Sequence, residues 1–202
     1  MGLGKATLSF TKFAHEEWNL PELPTFIVMG RSNVGKSSLL NALVHPQRIF
    51  RTGSTPGVTR GLVGAEVAMG KKALFILDLP GWGYAIRPSA EIREWEDLGK
   101  KLVKKVQQPL TKVFWLLDPR RKPDEMDALV YKWMMSFDHH FIFTKADQII
   151  RSKRKEVEKT WAAFLGEGFA DWKWMSSKTG EGLDDFAKLA RSFVRDVLTS
   201  NE

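Results

Sequence analysis

The amino-acid sequence predicts a three-layer α/β fold, in which a mostly parallel sheet of six strands carries helices on both faces. Short apolar runs alternate along the chain with longer helix-forming segments, which is the order typical of a parallel sheet with crossover helices. The first apolar run, residues 25–29, is followed at once by a glycine-rich loop and a helix-forming segment. We expect residues 25–199 to form this domain and residues 1–24 to be an N-terminal extension.

The first elements follow from local composition. Residues 25–29 are apolar and β-rich, and residues 38–44 are good helix formers. Residues 51–60 are rich in Gly, Pro, Ser and Thr and predict a polar loop. Two strands at 62–68 and 73–77 then predict a hairpin, because the residues between them, Met-Gly-Lys-Lys, have turn character.

The remainder of the chain repeats the alternation of strand and helix. A second glycine-rich break at residues 78–84 precedes the next helix-forming segment. The predicted helices cover residues 90–106, 124–136, 152–164 and 183–198. The predicted strands cover residues 113–117, 141–143 and 172–175.

Composition narrows the class of protein. Hydrophobic residues make up 43% and charged residues 27% of the 202 positions, as in ordinary soluble proteins. No apolar run reaches the roughly 18 residues of a membrane span, and the first residues lack the apolar core of a signal peptide. The absence of cysteine excludes disulfides and cysteine-based metal or redox chemistry, and it is compatible with a cytoplasmic location.

The chain is basic, with a net charge of +7 and an isoelectric point of about 9.6. Such an excess favours a polyanionic partner beyond a single nucleotide, with RNA, DNA and acidic lipid surfaces as candidates. A basic, soluble surface without such a partner is the alternative.

The loop after the first strand, G-R-S-N-V-G-K-S, matches the phosphate-loop pattern G-x-x-x-x-G-K-[ST]. Its glycines allow the backbone N–H groups to approach phosphate at the start of a helix. Lys36 is expected to reach the β- and γ-phosphates, and the Ser37 hydroxyl to bind Mg²⁺. The predicted phosphate-binding residues are Gly30, Arg31, Ser32, Asn33, Val34, Gly35, Lys36, Ser37 and Ser38.

A second motif, Thr144-Lys145-Ala146-Asp147, follows an apolar strand and predicts guanine as the base. A carboxylate accepts hydrogen bonds from guanine N1–H and the 2-amino group, whereas adenine offers an acceptor at N1. Taken alone, the motif could also be a solvated helix start with an Asp cap. Ser176, Ser177 and Lys178, after the last strand, are expected to brace guanine O6 through backbone N–H groups.

A third motif, Asp78-Leu79-Pro80-Gly81, ends another apolar strand. Its carboxylate is expected to hold a Mg²⁺-bound water and the Gly81 N–H to contact the γ-phosphate, although the same letters also favour a simple turn. A second hydroxyl ligand for Mg²⁺ is expected in the polar loop, where spacing does not choose among Thr52, Thr55 and Thr59.

Together these elements resemble a small translational-class GTPase, and more narrowly the EngB/YihA/YsxC family of bacterial GTP-binding proteins. The resemblance is carried by G-R-S-N-V-G-K-S-S-L-L-N-A-L, by D-L-P-G-W-G-Y-A and by Asp118-Pro-Arg120. It covers nearly the whole chain, from about residue 10 to residue 198. It implies a P-loop GTPase fold and the second-motif role for Thr59, so that the expected Mg²⁺ ligands are Ser37, Thr59 and Asp78. The nucleotide contacts expected around that threonine are Gly57, Val58, Thr59, Arg60 and Gly61.

The resemblance also implies a function. The chain is expected to be a cytoplasmic, monomeric GTP-binding protein that hydrolyses GTP to GDP as a switch in late assembly of the large ribosomal subunit. The family is also described as required for normal cell division and septation. Alternatives are an rRNA-binding assembly factor for which hydrolysis is negligible, or another GTPase similar to Era or EngA. Val58-Thr-Arg60 and Trp82 depart from the family pattern.

For catalysis, the expected residues are Lys36, Thr59, Gly81 and Asn33. Trp82 stands where Ras-like enzymes have a water-orienting Gln, and an indole only donates, so we expect slow intrinsic turnover. In related GTPases, Asn at the position of Asn33 helps to hold K⁺, which suggests potassium activation.

Three basic clusters are candidates for rRNA contact, with solvated faces as the alternative. They comprise Lys100, Lys101, Lys104 and Lys105; Arg120, Arg121 and Lys122; and Arg151, Lys153, Arg154 and Lys155.

Overall fold

A computed structural model describes residues 2–13, 16–46, 48–50, 61–83, 88–106, 110–166 and 172–199. Its strands are β1 (Gly4–Phe13), β2 (Thr25–Gly30), β3 (Val44–His45), β4 (Gly61–Met69), β5 (Lys72–Asp78), β6 (Thr111–Leu117), β7 (His139–Phe143) and β8 (Trp172–Trp174). Its α-helices are α1 (Lys36–Leu43), α2 (Pro88–Lys105), α3 (Glu125–Met134), α4 (Arg151–Leu165) and α5 (Leu183–Thr199).

The described strands form one sheet in the order β3-β1-β4-β5-β2-β6-β7-β8. β4 pairs antiparallel with both β1 and β5, and the other neighbours pair parallel. The predicted α/β class and the mostly parallel sheet are therefore confirmed. The predicted hairpin is present as β4 and β5, which are joined through Gly70 in a left-handed conformation with φ of 71°.

The sheet has eight described strands, whereas the sequence predicted six. The two additional strands are β3, only two residues long, and β1, which lies in the segment expected to be an extension. β1 buries only Ala6, and its polar and apolar residues do not form a clean alternation. It is held by its antiparallel ladder to β4, from Lys5 opposite Ala68 to Phe13 opposite Gly61, so the core-facing pattern that identifies a strand is weak here.

The central strand β2 divides the core into two layers. All six of its residues are buried, and successive side chains point to opposite faces of the sheet. Phe26 and Val28 pack into the layer covered by α1 and α5, whereas Ile27 and Met29 pack into the layer covered by α2, α3 and α4. Burial on both faces explains why β2 is a continuous apolar run.

The parallel arrangement brings the carboxyl ends of β2, β5, β6, β7 and β8 to one edge of the sheet. The loops that follow these strands carry the phosphate-loop, Asp78, Thr144 and Ser176 motifs. In open α/β sheets this edge is where ligands bind. Within the described part of the chain, no helix has both the length and the apolar character needed to cross a membrane.

Candidate functional site

The phosphate loop between β2 and α1 depends on left-handed backbone conformations at three positions. The φ angles of Gly30, Asn33 and Gly35 are 153°, 60° and 109°. At Gly30 an added Cβ would lie 2.5 Å from the Leu116 main-chain oxygen, so this position also has no room for a side chain. Glycine, and Asn at the one non-glycine position, are the residues that adopt such angles at low cost.

Lys36 begins α1 and turns its side chain back under this loop. The side chain is buried, and its Nζ donates to the main-chain oxygens of Gly30 at 2.9 Å and Arg31 at 3.5 Å. Burial lowers the pKa of the Lys36 ammonium, and the negative charge of Asp78 acts in the opposite direction. The loop carbonyls therefore hold a cationic group at the place where the sequence predicts phosphate contact.

Ser37 and Asp78 meet beside this lysine. The Ser37 hydroxyl donates to Asp78 Oδ2 at 3.4 Å, and among the described residues the buried Oδ1 has no hydrogen-bond partner. Burial raises the pKa of the Asp78 carboxyl to about 6, although Lys36 and the Ser37 hydroxyl lower it.

A hydroxyl next to a buried carboxylate oxygen without a partner is a donor set that fits a hard cation such as Mg²⁺. Within the described residues, no cluster of three or more His, Asp or Glu side chains could hold a metal by itself. A cation at Ser37 and Asp78 would therefore need oxygen ligands from a bound phosphate as well. Among the predicted contacts, Gly57, Val58, Thr59 and Arg60 lie outside the described residues, and Gly61 begins β4.

The segment after Asp78 packs closely on the phosphate loop. Leu79 is buried, and its N–H donates to the Val28 main-chain oxygen at 2.9 Å. This hydrogen bond directs the next residues, from Pro80 onwards, towards Ser32. The Ser32 hydroxyl donates to the Gly81 oxygen at 3.0 Å. A Cβ on Gly81 would lie 2.8 Å from the main-chain N and Cα of Ser32, so only glycine fits between the two loops.

Trp82 directs its side chain into the core. Its main-chain oxygen accepts a hydrogen bond from the Ser32 N–H at 2.8 Å, but the indole is fully buried and packs against Trp95 and Trp115. The indole Nε1 donates to Asp127 Oδ1 at 3.3 Å. The side chain at the predicted position of a water-orienting Gln therefore belongs to the core layer under α2 and α3.

The Thr144–Asp147 motif, which the sequence predicts to bind the base, contacts the phosphate loop directly. Thr144 Oγ1 donates to the Val34 oxygen at 2.6 Å. Lys145, with φ of 55°, donates from Nζ to the Asn33 oxygen at 2.6 Å and to Asp118 Oδ2 at 2.8 Å. The structure thus places the two motifs, which are 110 residues apart in sequence, in contact.

Asp147 lies at the exposed rim of the same site. Its Oδ1 accepts a hydrogen bond from the Ser176 hydroxyl at 2.5 Å, and this bond is the main cause of the lowered pKa of the Asp147 carboxyl. The Ser176 hydroxyl in turn accepts the N–H of Lys178 at 3.2 Å, and Ala146 donates its N–H to the Met175 oxygen at 3.0 Å. The motif after β7 and the loop after β8, which also contains exposed Ser177, are therefore joined.

Asp118 is the residue of this site whose role the sequence did not predict. It lies at the end of β6 and accepts hydrogen bonds from Lys145 and from Arg120 Nε and Nη2. Burial would raise the pKa of the Asp118 carboxyl, but the hydrogen bonds from Arg120 and Lys145 outweigh it and lower the pKa to about 2. The Asp-Pro-Arg letters were visible in the sequence, but their contact with Lys145 depends on the parallel pairing of β6 and β7.

Arg31 links the phosphate loop to the start of α3. Its Nη1 lies 2.6 Å from Asp124 Oδ2 and 3.6 Å from Asp127 Oδ2. A Cβ on Gly83 would approach Arg31 Nη2 to 2.7 Å, so the guanidinium also packs against the segment after Asp78. Arg31, which the sequence placed among the phosphate contacts, thus holds two loops to a helix.

Comparison with known proteins places these features in a family. The family model described as a 50S ribosome-binding GTPase matches residues 25–146. A probable GTP-binding protein EngB from Geobacter metallireducens is 34% identical over 167 residues, which cover 82% of this chain and 80% of that protein. The chain belongs to the EngB family of GTP-binding proteins. Another EngB relative, from Shouchella clausii, is 32% identical over 188 residues, covering 92% of this chain and 93% of its own length.

Solved structures confirm the P-loop GTPase fold of this EngB-family chain. A crystal structure of a probable GTP-binding protein EngB superposes with a TM-score of 0.62 at 21% identity, covering 85% of this chain and 99% of that chain. Aquifex aeolicus Era bound to GDP·AlF4⁻ superposes with a TM-score of 0.66 at 16% identity, covering 86% of this chain and 57% of that chain. The family model and the EngB relatives confirm the family resemblance stated from the sequence.

Proposed function

We propose that this EngB-family chain binds GTP with Mg²⁺ and hydrolyses it slowly to GDP, as a switch in assembly of the large ribosomal subunit. The observation that carries the proposal is the contact between the two halves of the site. Lys145 of the Thr-Lys-Ala-Asp motif donates to Asn33 of the phosphate loop at 2.6 Å, while Ser176 holds the Asp147 carboxylate at the rim. Because these contacts bring the two motifs together, a single nucleotide can place its base at Asp147 and its phosphates at the phosphate loop.

Each residue has a defined part in this proposal. Asp147 accepts hydrogen bonds from guanine N1–H and the 2-amino group, and the N–H groups around Ser177 meet O6. Lys36 exchanges its carbonyl partners for phosphate oxygens, and the Gly81 N–H contacts the γ-phosphate. Ser37 and Asp78 hold Mg²⁺, together with Thr59; when bound, the ion neutralises charge that develops on the phosphates. The buried Trp82 indole orients no water, which supports slow intrinsic turnover.

The ribosomal role rests on the family and on charge. The matched family model is described as a ribosome-binding GTPase, and the net charge of +7 suits a polyanionic partner. At least five members of the predicted basic clusters already pair with acidic side chains of the chain itself: Lys100 with Asp97, Lys105 with Glu17, Arg120 with Asp118, Arg121 with Asp124 and Arg154 with Glu181. Exposed members such as Lys104 and Lys153 remain candidates for rRNA contact. We retain the role in cell division and the cytoplasmic, monomeric state as parts of the proposal.

The experiment that tests base recognition is the substitution Asp147→Asn. An Asn amide donates where the carboxylate accepts, so it should disfavour the guanine 2-amino group and accommodate the C2 carbonyl of xanthine. We expect GTP affinity to fall about a hundredfold or more and xanthosine triphosphate affinity to rise, measured by calorimetry. Asp97→Asn, an exposed carboxylate on α2, makes the same charge change and should leave both affinities unaltered. Retention of GTP preference by Asp147→Asn would refute the base assignment.

A second experiment separates the switch from an assembly factor that barely hydrolyses GTP. Multiple-turnover hydrolysis is measured with and without large ribosomal subunits. Stimulation by the subunits supports the proposed switch, whereas unchanged turnover favours the assembly factor.

A further inference from the structure

Arg154 on α4 lies beneath the two loops that would contact the base. Its side chain is 14% exposed, although it stands in a run of basic residues that otherwise faces solvent. The guanidinium stacks on Trp174, with its central carbon 4.7 Å from the ring centroid. The Trp174 Nε1 donates to Glu158 at 2.6 Å, which fixes the plane of the ring. The position of the guanidinium is therefore set by packing as well as by charge.

The same guanidinium bonds to both loops at once. Nη2 donates to the Ala146 oxygen at 3.1 Å, and Ala146 precedes Asp147 in the loop after β7. Nη1 and Nη2 donate to the two carboxylate oxygens of Glu181 at 2.6 and 3.0 Å, and Glu181 lies in the loop after β8. A bidentate pair of this kind fixes direction as well as distance.

Glu181 carries this constraint to Ser176. The main-chain oxygen of Glu181 accepts a hydrogen bond from the Ser176 N–H at 3.0 Å. Glu181 therefore bonds both to Arg154 and to the serine that holds Asp147. The hydrogen bond from Arg154 is the main cause of the lowered pKa of the Glu181 carboxyl, so the pair is ionised at neutral pH. These hydrogen bonds and the peptide bond between Ala146 and Asp147 form a closed ring of contacts. The ring contains Arg154, Glu181, Ser176 and Asp147.

We propose that Arg154, acting through Glu181, is a positioning residue that sets selectivity for guanine by fixing the Asp147 loop relative to the Ser176–Lys178 loop. This inference rests on the proposed function. Guanine presents N1–H and its 2-amino group to one loop and O6 to the other, so discrimination requires a fixed separation between them. In a preorganised site the base forms every hydrogen bond without a free-energy cost for ordering the loops. If the loops are loosened, each hydrogen bond contributes only part of its free energy to binding.

The test compares guanosine diphosphate with inosine diphosphate, which lacks only the 2-amino group. Arg154→Met retains an apolar stem against Trp174 but removes the hydrogen bonds to Ala146 and Glu181. We expect the ratio of the two affinities to fall about tenfold, the effect of roughly one lost hydrogen bond. Lys155→Met removes one positive charge from the neighbouring exposed position of the same helix and should leave the ratio unchanged.

Two further variants show whether Arg154 acts through Glu181. Arg154→Lys keeps the charge, but one ammonium does not reproduce the planar fork, so the ratio should still fall. Glu181→Gln should lower the ratio as well, and the double variant with Arg154→Met should be no worse than the more severe single one. Additive losses would overturn the coupling.

Melting temperature separates positioning from plain structural support. A lower melting temperature with an unchanged affinity ratio in Arg154→Met, Arg154→Lys and Glu181→Gln would overturn the proposal. If Asp147→Asn fails to switch base preference, the base assignment itself fails. If it switches while the Arg154 variants keep the wild-type ratio, only the positioning role fails.

Discussion

The burial of Trp82 leads to a prediction about stability that changes with pH. Replacement by Phe removes the pyrrole part of a fully buried indole and the hydrogen bond to Asp127. Complete truncation of a buried aromatic ring costs about 3–5 kcal/mol, so partial removal should cost about 1–2 kcal/mol. Loss of the 3.3 Å hydrogen bond to an ionised, buried carboxylate adds about 1.5 kcal/mol.

The free-energy contribution of the Trp82–Asp127 hydrogen bond depends on the charge of Asp127. Burial and the nearby Asp124 raise the pKa of the Asp127 carboxyl to about 6, while Arg31 and the Trp82 hydrogen bond lower it. A folded-state pKa above the unfolded value means that wild-type stability falls as pH rises from about 4 through about 6. Because the indole N–H favours the ionised form, Trp82→Phe raises this pKa further and enlarges that fall. The destabilisation should therefore be about 1 kcal/mol greater at about pH 8 than at about pH 5.

The assay is urea unfolding followed by circular dichroism at the two pH values, with the same nucleotide content throughout. Trp161→Phe is the matched control, since this indole is also buried and its Nε1 has no acceptor among the described residues. Its cost should be the same at both pH values. An equal cost of Trp82→Phe at both values would refute the reasoning about Asp127, and a large change in hydrolysis with unchanged stability would place the indole at the nucleotide.

Two further predictions concern ions at the phosphate end of the site. Magnesium-dependent GTP binding, measured by titration across pH, should weaken below about pH 6, because a proton then occupies the Asp78 carboxyl. The variant Asp78→Asn should bind GTP weakly at every pH. A wild-type affinity that does not change with pH would contradict the role of this carboxylate. GTP hydrolysis should be faster in potassium than in sodium buffer if Asn33 helps to hold K⁺, and equal rates in the two buffers would exclude that activation.

The sequence was sufficient to predict the fold class because its central strands are buried on both faces. β2 and β6 have almost no exposed positions, so their residues form continuous apolar runs that stand out from their surroundings. β1 gives no such signal, because most of its residues are exposed and its hydrogen bonds to β4 stabilise it. A strand of this kind is defined by a partner strand far along the chain, from Phe13 opposite Gly61 to Lys5 opposite Ala68, which local patterns do not report.

In the candidate site, too, the sequence predicted some residues and not others. Motif letters predicted which residues would face a nucleotide, since phosphate and guanine place strict demands on residue type and spacing. The residues that hold those motifs in place were not predicted. Arg154 resembles its solvated neighbours in sequence, and its partner Glu181 lies 27 positions further along the chain. Such a pair is recognisable only after the fold has brought α4 and the loop after β8 together.

Lys145 shows why the supporting contacts matter to the motifs themselves. Its ammonium bonds both to Asn33 of the phosphate loop and to Asp118 at the end of β6. The acceptor on the phosphate loop is a main-chain oxygen at a left-handed residue, so this bond stabilises a conformation that the backbone would otherwise adopt at a cost. The low pKa of Asp118 keeps the opposing charge in place at any pH near neutrality. The geometry of the phosphate loop is therefore maintained partly by the motif that we propose binds the base, and the two halves of the site form one structural unit.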